Sequence, residues 1–261
     1  SKNQRITSIA DFVSARYGKS SVLAVLVTCI AVIGILPYIS IQIRAVTFGI
    51  TTLTHFGEAP PTGYVSFWLD SGLWVTLAMA CFTMIFGTRK LDPSEKHEGL
   101  VSAIAFESII KLLAFILLGL FVTFGLYNGF GDLFEKALSQ PHTARLFSLQ
   151  DSGISALSWN ILCLLSLFAI ILLPRQFHVA VVENTDPRHL LKAMWVFPLY
   201  LLLINVFVFP VALAGIMIFG SSINPDTYVL SLPLSQNMEW LALLVFLGGF
   251  SAATGMVVVE S

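Results

Sequence analysis

Six stretches of this chain, residues 21–43, 65–86, 100–126, 155–173, 194–219 and 238–259, are each apolar over a length that spans a membrane. At 1.5 Å per helical residue, about 20 residues cover the roughly 30 Å of bilayer hydrocarbon. Amides in that layer meet no water, so a spanning segment must satisfy them within itself as a helix or within a closed barrel. The alternating pattern of barrel strands is missing. The expectation is an all-α, polytopic membrane protein with six transmembrane helices in one membrane domain over residues 1–261. Composition agrees, because 56% hydrophobic against 11% charged residues lies far from the balance of a soluble globular domain.

Positive charge gives an orientation. With the N-terminus cytoplasmic, the inner segments hold Lys2, Arg5, Arg16, Lys19, Arg89, Lys90, Lys96, Arg175, Arg188 and Lys192, and the outer loops hold only Arg44, Lys136 and Arg145. The positive-inside rule then places both ends of the chain in the cytoplasm. The loop over residues 220–237, without Lys or Arg, falls outside as the rule requires.

Between the spans, Thr7-Ser8-Ile9-Ala10-Asp11 carries a capping pattern ahead of a short apolar-periodic turn closed by Gly18, which predicts a cytoplasmic interfacial helix within residues 1–19. The long loop over residues 127–154 predicts a short helix near Asp132 to Leu138 on the outer face. Gly129-Phe130-Gly131-Asp132 lacks the Lys-Ser/Thr ending of a phosphate loop and reads as a turn. Pro37, Pro198 and Pro210 lie inside spans, and Pro174 ends one, so the helices there curve or break. The first residue is not Met and the last follows a span directly, so the chain reads as a piece of something longer.

Few residues carry chemistry. Glu107 and Lys111 stand one turn apart in the third span, with Glu on the N-terminal side, the favourable order for a helical ion pair. Lys111 lies about 16 Å in from Leu100, where an unpaired charge costs about 2.5 to 3.5 kcal/mol. The pair is either a coupling element or a structural lock. Asn160, Asn205 and Gln42 are expected to hydrogen-bond neighbouring helices, and Asp70 and Glu239 to meet water at outer span ends. The five histidines show no metal-ligand spacing. Cys29, Cys81 and Cys163 fall in separate spans, where no disulfide is expected. There is no catalytic motif, and a formal net charge of -1 gives no support for nucleic-acid binding. The last span differs from the rest, since Gly248-Gly249-Phe250-Ser251-Ala252-Ala253-Thr254-Gly255 is built of small and hydroxyl residues that let backbones or ions approach closely.

Several of these residues together resemble the sodium:solute symporter family. The resemblance rests on Ile6-Thr7-Ser8-Ile9-Ala10-Asp11-Phe12-Val13-Ser14-Ala15-Arg16-Tyr17-Gly18, on Pro37-Tyr38 with Gln42, and on the small-residue last span. Ala105-Phe106-Glu107-Ser108 through Lys111-Leu112, and Leu173-Pro174-Arg175-Gln176-Phe177-His178-Val179 with Val182-Glu183-Asn184, are similar to the subgroup fused to a bacterial sensor histidine kinase. The resemblance implies a LeuT-type inverted-repeat fold, with this chain covering core helices three to eight and the other core helices lying outside it. It implies a bacterial inner-membrane location, a small solute such as an amino acid or short carboxylate, and a kinase domain beyond Ser261. A stand-alone sodium-coupled symporter is the alternative. It also implies a sodium site in which Ser251 gives a backbone carbonyl and Thr254 a hydroxyl, while the second hydroxyl position is occupied by Gly255, which has none. Sodium is the one cofactor so implied.

Overall fold

The computed structural model describes residues 9–57, 68, 70–86, 98–148, 153–172 and 187–260. Among them every regular element is helical: α1 (Ile9–Arg16), α2 (Ser21–Thr54), α3 (Ser71–Phe86), α4 (Glu98–Leu120), α5 (Phe130–Ser139), α6 (Pro141–Ala144), α7 (Ala156–Leu172), α8 (Pro187–Asn205), α9 (Val208–Phe219), α10 (Tyr228–Ser235) and α11 (Glu239–Glu260). Four described stretches are long and apolar enough to cross a bilayer: Ser21–Thr54, Ala105–Leu126, Arg188–Phe219 and Glu239–Val257. Two shorter apolar helices, Ser71–Ile85 and Ala156–Ala169, match the expected second and fourth spans. This is a multi-pass membrane architecture. Thr7 and Ser8, the 173–184 motif and the basic residues Arg89, Lys90, Lys96 and Arg175 lie outside the described residues.

The short helix expected before the first span is α1, with Ala10 buried and α2 as its neighbour. Gly18 and Lys19 turn the chain at φ +74° and +57°, in the left-handed region that a β-carbon disfavours. Ser20 then caps α2, its hydroxyl accepting the Leu23 amide at 3.3 Å. The helix does not stop before Arg44. It runs 34 residues to Thr54, because Ala45, Val46, Phe48 and Ile50 continue the apolar pattern and Arg44 lays its guanidinium 4.9 Å over the Phe48 ring. Arg44 is therefore a helix residue, not a loop residue as its charge suggests.

Prolines act unequally. Pro37 and Pro198 are carried inside continuous helices, whereas Pro210 sits three residues into α9 and divides the expected fifth span. Its missing amide leaves the Val206 carbonyl without an i+4 donor, and the helix breaks at Val206 and Phe207. Asn160 and Asn205 also differ from expectation: their amides donate to Ala156 O at 2.9 Å and Leu201 O at 2.7 Å, carbonyls of their own helices. An amide one turn below its own carbonyl satisfies itself without a neighbour.

The densest packing lies at one end of the bundle, where α4 finishes in a π-helical turn (Phe121–Leu126) beneath α5, α6, α9 and α10. Leu118, Val122, Leu133, Ala137, Leu213, Ala214, Leu232 and Leu241 form its core. Predicted helix Asp132–Leu138 is α5, one turn longer, opened by Gly129 at φ +107°. Asp132 accepts the Asn128 amide at 3.0 Å and pairs with Lys136 at 2.8 Å, and these two contacts hold its carboxyl below the ordinary range. The Lys136 ammonium in turn lies 5.2 Å over the Tyr127 ring, whose phenol is pushed up by burial and then by Asp132. Phe207, at the break, stacks on Phe130 at 5.9 Å and occupies the notch at Gly119, where any β-carbon would collide with its ring. Asp70 caps α3 by accepting the Gly72 amide at 2.8 Å and is exposed, as is Glu239 at the start of α11.

Candidate functional site

The site forms where α11 runs between α2 and α4. Gly255 meets Glu107 and Gly248 meets Lys111 and Ala114, so α11 is antiparallel to α4. On its other side the Tyr38 hydroxyl donates to Met256 Sδ at 2.9 Å and Gly49 meets Phe246, so α11 is antiparallel to α2 as well. α2 and α4 therefore run one way and α11 the other. Val46, Met79, Ala253 and Val257 close the junction of α2, α3 and α11.

Small residues make this approach possible. A β-carbon on Gly248 would lie 3.5 Å from the Lys111 Cα and 3.5 Å from the Ala114 methyl, ordinary contact that leaves no room for anything larger. At Gly255 there is no room even for the β-carbon: it would collide with Oε2 of Glu107 and lie 3.2 Å from its carboxyl carbon. The carboxylate of Glu107 fills the volume that a side chain at residue 255 would take. Glu107 and Lys111 are both half-buried on α4. Beside them Tyr200 of α8 donates to the Ser108 carbonyl at 3.4 Å.

Two of the oxygens expected of a sodium site are adjacent. The Thr254 hydroxyl donates to the Ser251 carbonyl at 2.9 Å and also reaches Phe250 O at 3.1 Å, while the Ser251 hydroxyl donates to Gly248 O at 3.1 Å. Turning the Thr254 proton away would expose two neutral oxygens side by side. Gly255 offers no third, but the carboxylate seated against it is a hard anionic oxygen donor, the kind that suits an alkali cation. These donors are of the kind that suits sodium: Ser251, Thr254 and Gly255 lie within one turn of α11, and α4 sets the Glu107 carboxylate against Gly255.

A cavity of about 490 Å³ opens toward the packed end between α2, α10 and α11. Arg44, Gln42, Asp226 and Thr227 line it together with Phe48 and Phe246. Of these, Gln42 was legible as a polar residue within a span. Arg44 and Asp226 were not, because both were assigned to loops; the apolar run continuing past Arg44 was the available signal.

No protein-family model matches the chain, and no solved structure matches it. It is similar to the uncharacterized symporter YhjB of Bacillus subtilis (strain 168), 23% identical over 97% of this chain and 47% of that protein. The chain thus spans about half the length of that relative.

Proposed function

We propose that this chain is the central part of a sodium:solute symporter-like membrane domain, with six crossings in a LeuT-type arrangement, both ends cytoplasmic, in a bacterial inner membrane. The observation that carries the reading is the α4–α11 crossing, where a carbonyl and a hydroxyl stand 2.9 Å apart in a helix of small residues next to a seated carboxylate. Similarity to YhjB along nearly the whole chain supports it. Ser251 and Thr254 contribute the ion contacts, Gly255 admits α4, and Glu107 with Lys111 forms the intramembrane charged pair. The small solute is an amino acid or short carboxylate, and further helices beyond this sequence complete its site.

Within that reading the domain serves as the nutrient-sensing or transport input of a two-component sensor histidine kinase. A solute that binds one conformer more tightly shifts its population, and the helices leading to the kinase report the shift. The motifs Ala105–Leu112 and 173–184 support the kinase fusion; a stand-alone symporter is the alternative. Vesicles containing the full-length protein should take up labelled amino acids or carboxylates when an inward sodium gradient is imposed. Uptake indifferent to sodium sinks the coupling. A gene that continues past Ser261 without a phospho-acceptor histidine and an ATP-binding domain sinks the sensory role and leaves the transporter.

A further inference from the structure

We infer that Glu107 of α4 is a ligand of the sodium site on α11, its carboxylate standing in for the side chain that Gly255 lacks. The inference rests on the sodium reading of Ser251 and Thr254 and adds a residue from a different helix to it.

Three observations converge. First, the contact at Gly255 is with the carboxylate itself and not with the aliphatic stem: Oε2 collides with a built β-carbon, and the carboxyl carbon and Oε1 follow at 3.2 and 3.5 Å. A glycine at this point is a seat shaped for an anionic head group. Second, Gly255 follows Thr254 directly and lies one turn beyond Ser251, whose carbonyl points along the axis toward the Gly255 amide. The carboxylate therefore arrives on the same turn as the 2.9 Å carbonyl–hydroxyl pair. Third, the register is fixed, because Gly248 is held against Lys111 and Ala114 two turns away, so α4 cannot slide to carry Glu107 elsewhere.

Electrostatics favours the same assignment. Two neutral oxygens offer a hard cation little when it must give up its water, whereas a carboxylate offers full charge. Gly255 then marks an exchange of ligands between helices and not the loss of one. The site gains an anion that a hydroxyl could not give, and ion occupancy becomes coupled to the position of α4 against α11. Lys111, one turn along α4, is the nearest competing positive charge on that helix.

The test is sodium binding by the purified full-length protein, read as the rise in unfolding temperature with NaCl against choline chloride at constant ionic strength. Glu107→Gln keeps size and polarity and removes the charge; it should raise the half-saturating sodium concentration by about tenfold or more, since even outer partners of a metal site matter by about 10- to 100-fold. Gly255→Ser should weaken sodium similarly, because its β-carbon evicts the carboxylate. The double change Glu107→Ala with Gly255→Ser puts a hydroxyl back into the vacated seat and should bind sodium several-fold more tightly than either single variant. A Glu107→Gln protein that responds to sodium as the unmodified protein does overturns the inference and leaves the Ser251–Thr254 site standing. An unmodified protein with no sodium response overturns that site as well.

Discussion

In the packed end of the bundle Leu118, Leu133, Leu213 and Leu232 are fully enclosed, at 0% exposure, whereas on α7 Leu157 and Leu167 are 70% and 64% exposed. Both regions are apolar. The packed end is made from short helices interrupted by Gly129, Gly220 and Pro225, and it folds back on itself. α7 is apolar all round and its side chains from Ala156 to Phe168 are exposed. A helix of that kind is stable only when lipid or other helices surround it. Apolar character alone therefore does not say which segments form the protein's own core. Punctuation does, because glycines, prolines and aromatic rings let short helices interdigitate where a long uniform one cannot.

The contrast can be broken by mutation. Leu133→Ala should destabilise the protein by about 2 to 5 kcal/mol through lost burial and the cavity left behind, visible as a lower unfolding temperature in detergent. Gly119→Ala should cost about 1 to 3 kcal/mol, since its methyl must push Phe207 out of the notch beside Phe130. Thr123→Val tests the packed end in the other direction. The Thr123 hydroxyl is buried in the π-helical turn and has no hydrogen-bond partner among the described residues, so an apolar side chain of the same shape should be neutral or stabilising by up to about 1 kcal/mol. On α7, Leu164→Ala should change stability by less than about 0.5 kcal/mol. A large loss there would show that α7 is clasped by protein and would end the comparison.

The smallest effect belongs to Asp132. Its carboxyl is held below the ordinary range by the Asn128 amide and then by Lys136, so its contribution is complete above the carboxylate range and fades as pH falls through the lowered value. Unfolding temperatures of the unmodified protein and Asp132→Asn should differ slightly at neutral pH and converge in acid. A gap that widens in acid would refute this assignment.

The helical class and the short elements were readable from the chain because they depend on local pattern. The run from Phe130 to Ser139 announces α5 through Leu133 and Ala137 one turn apart and the Asp132–Lys136 pair on the flank about 100° away. Gly18 announces the end of α1 because few residues tolerate its backbone angle. What pattern alone misplaced was the extent of α2, since charge at Arg44 outweighed the apolar residues beyond it. The break at Phe207 was ambiguous for a similar reason: Pro37, Pro198 and Pro210 look alike in sequence, and only the surroundings decide which one parts a helix. At the candidate site, Ser251, Thr254 and Gly255 could be picked out from their small size, and Glu107 from being a charge in an apolar span. Their meeting could not, because nothing local links residue 107 to residue 255; that link is made by the register of two antiparallel helices.

The length of α2 has a geometric consequence. Its 34 residues measure about 50 Å, against roughly 30 Å of hydrocarbon. Leaning alone would require an inclination above about 50°, steeper than the 0–40° that membrane helices adopt. Several turns of α2 must then project beyond the lipid tails like a post. Arg44 lies ten residues before the last turn closes at Thr54, and that stretch of the post forms one wall of the chamber shared with Asp226 and Phe246, so any tilt of the post changes the width of the chamber.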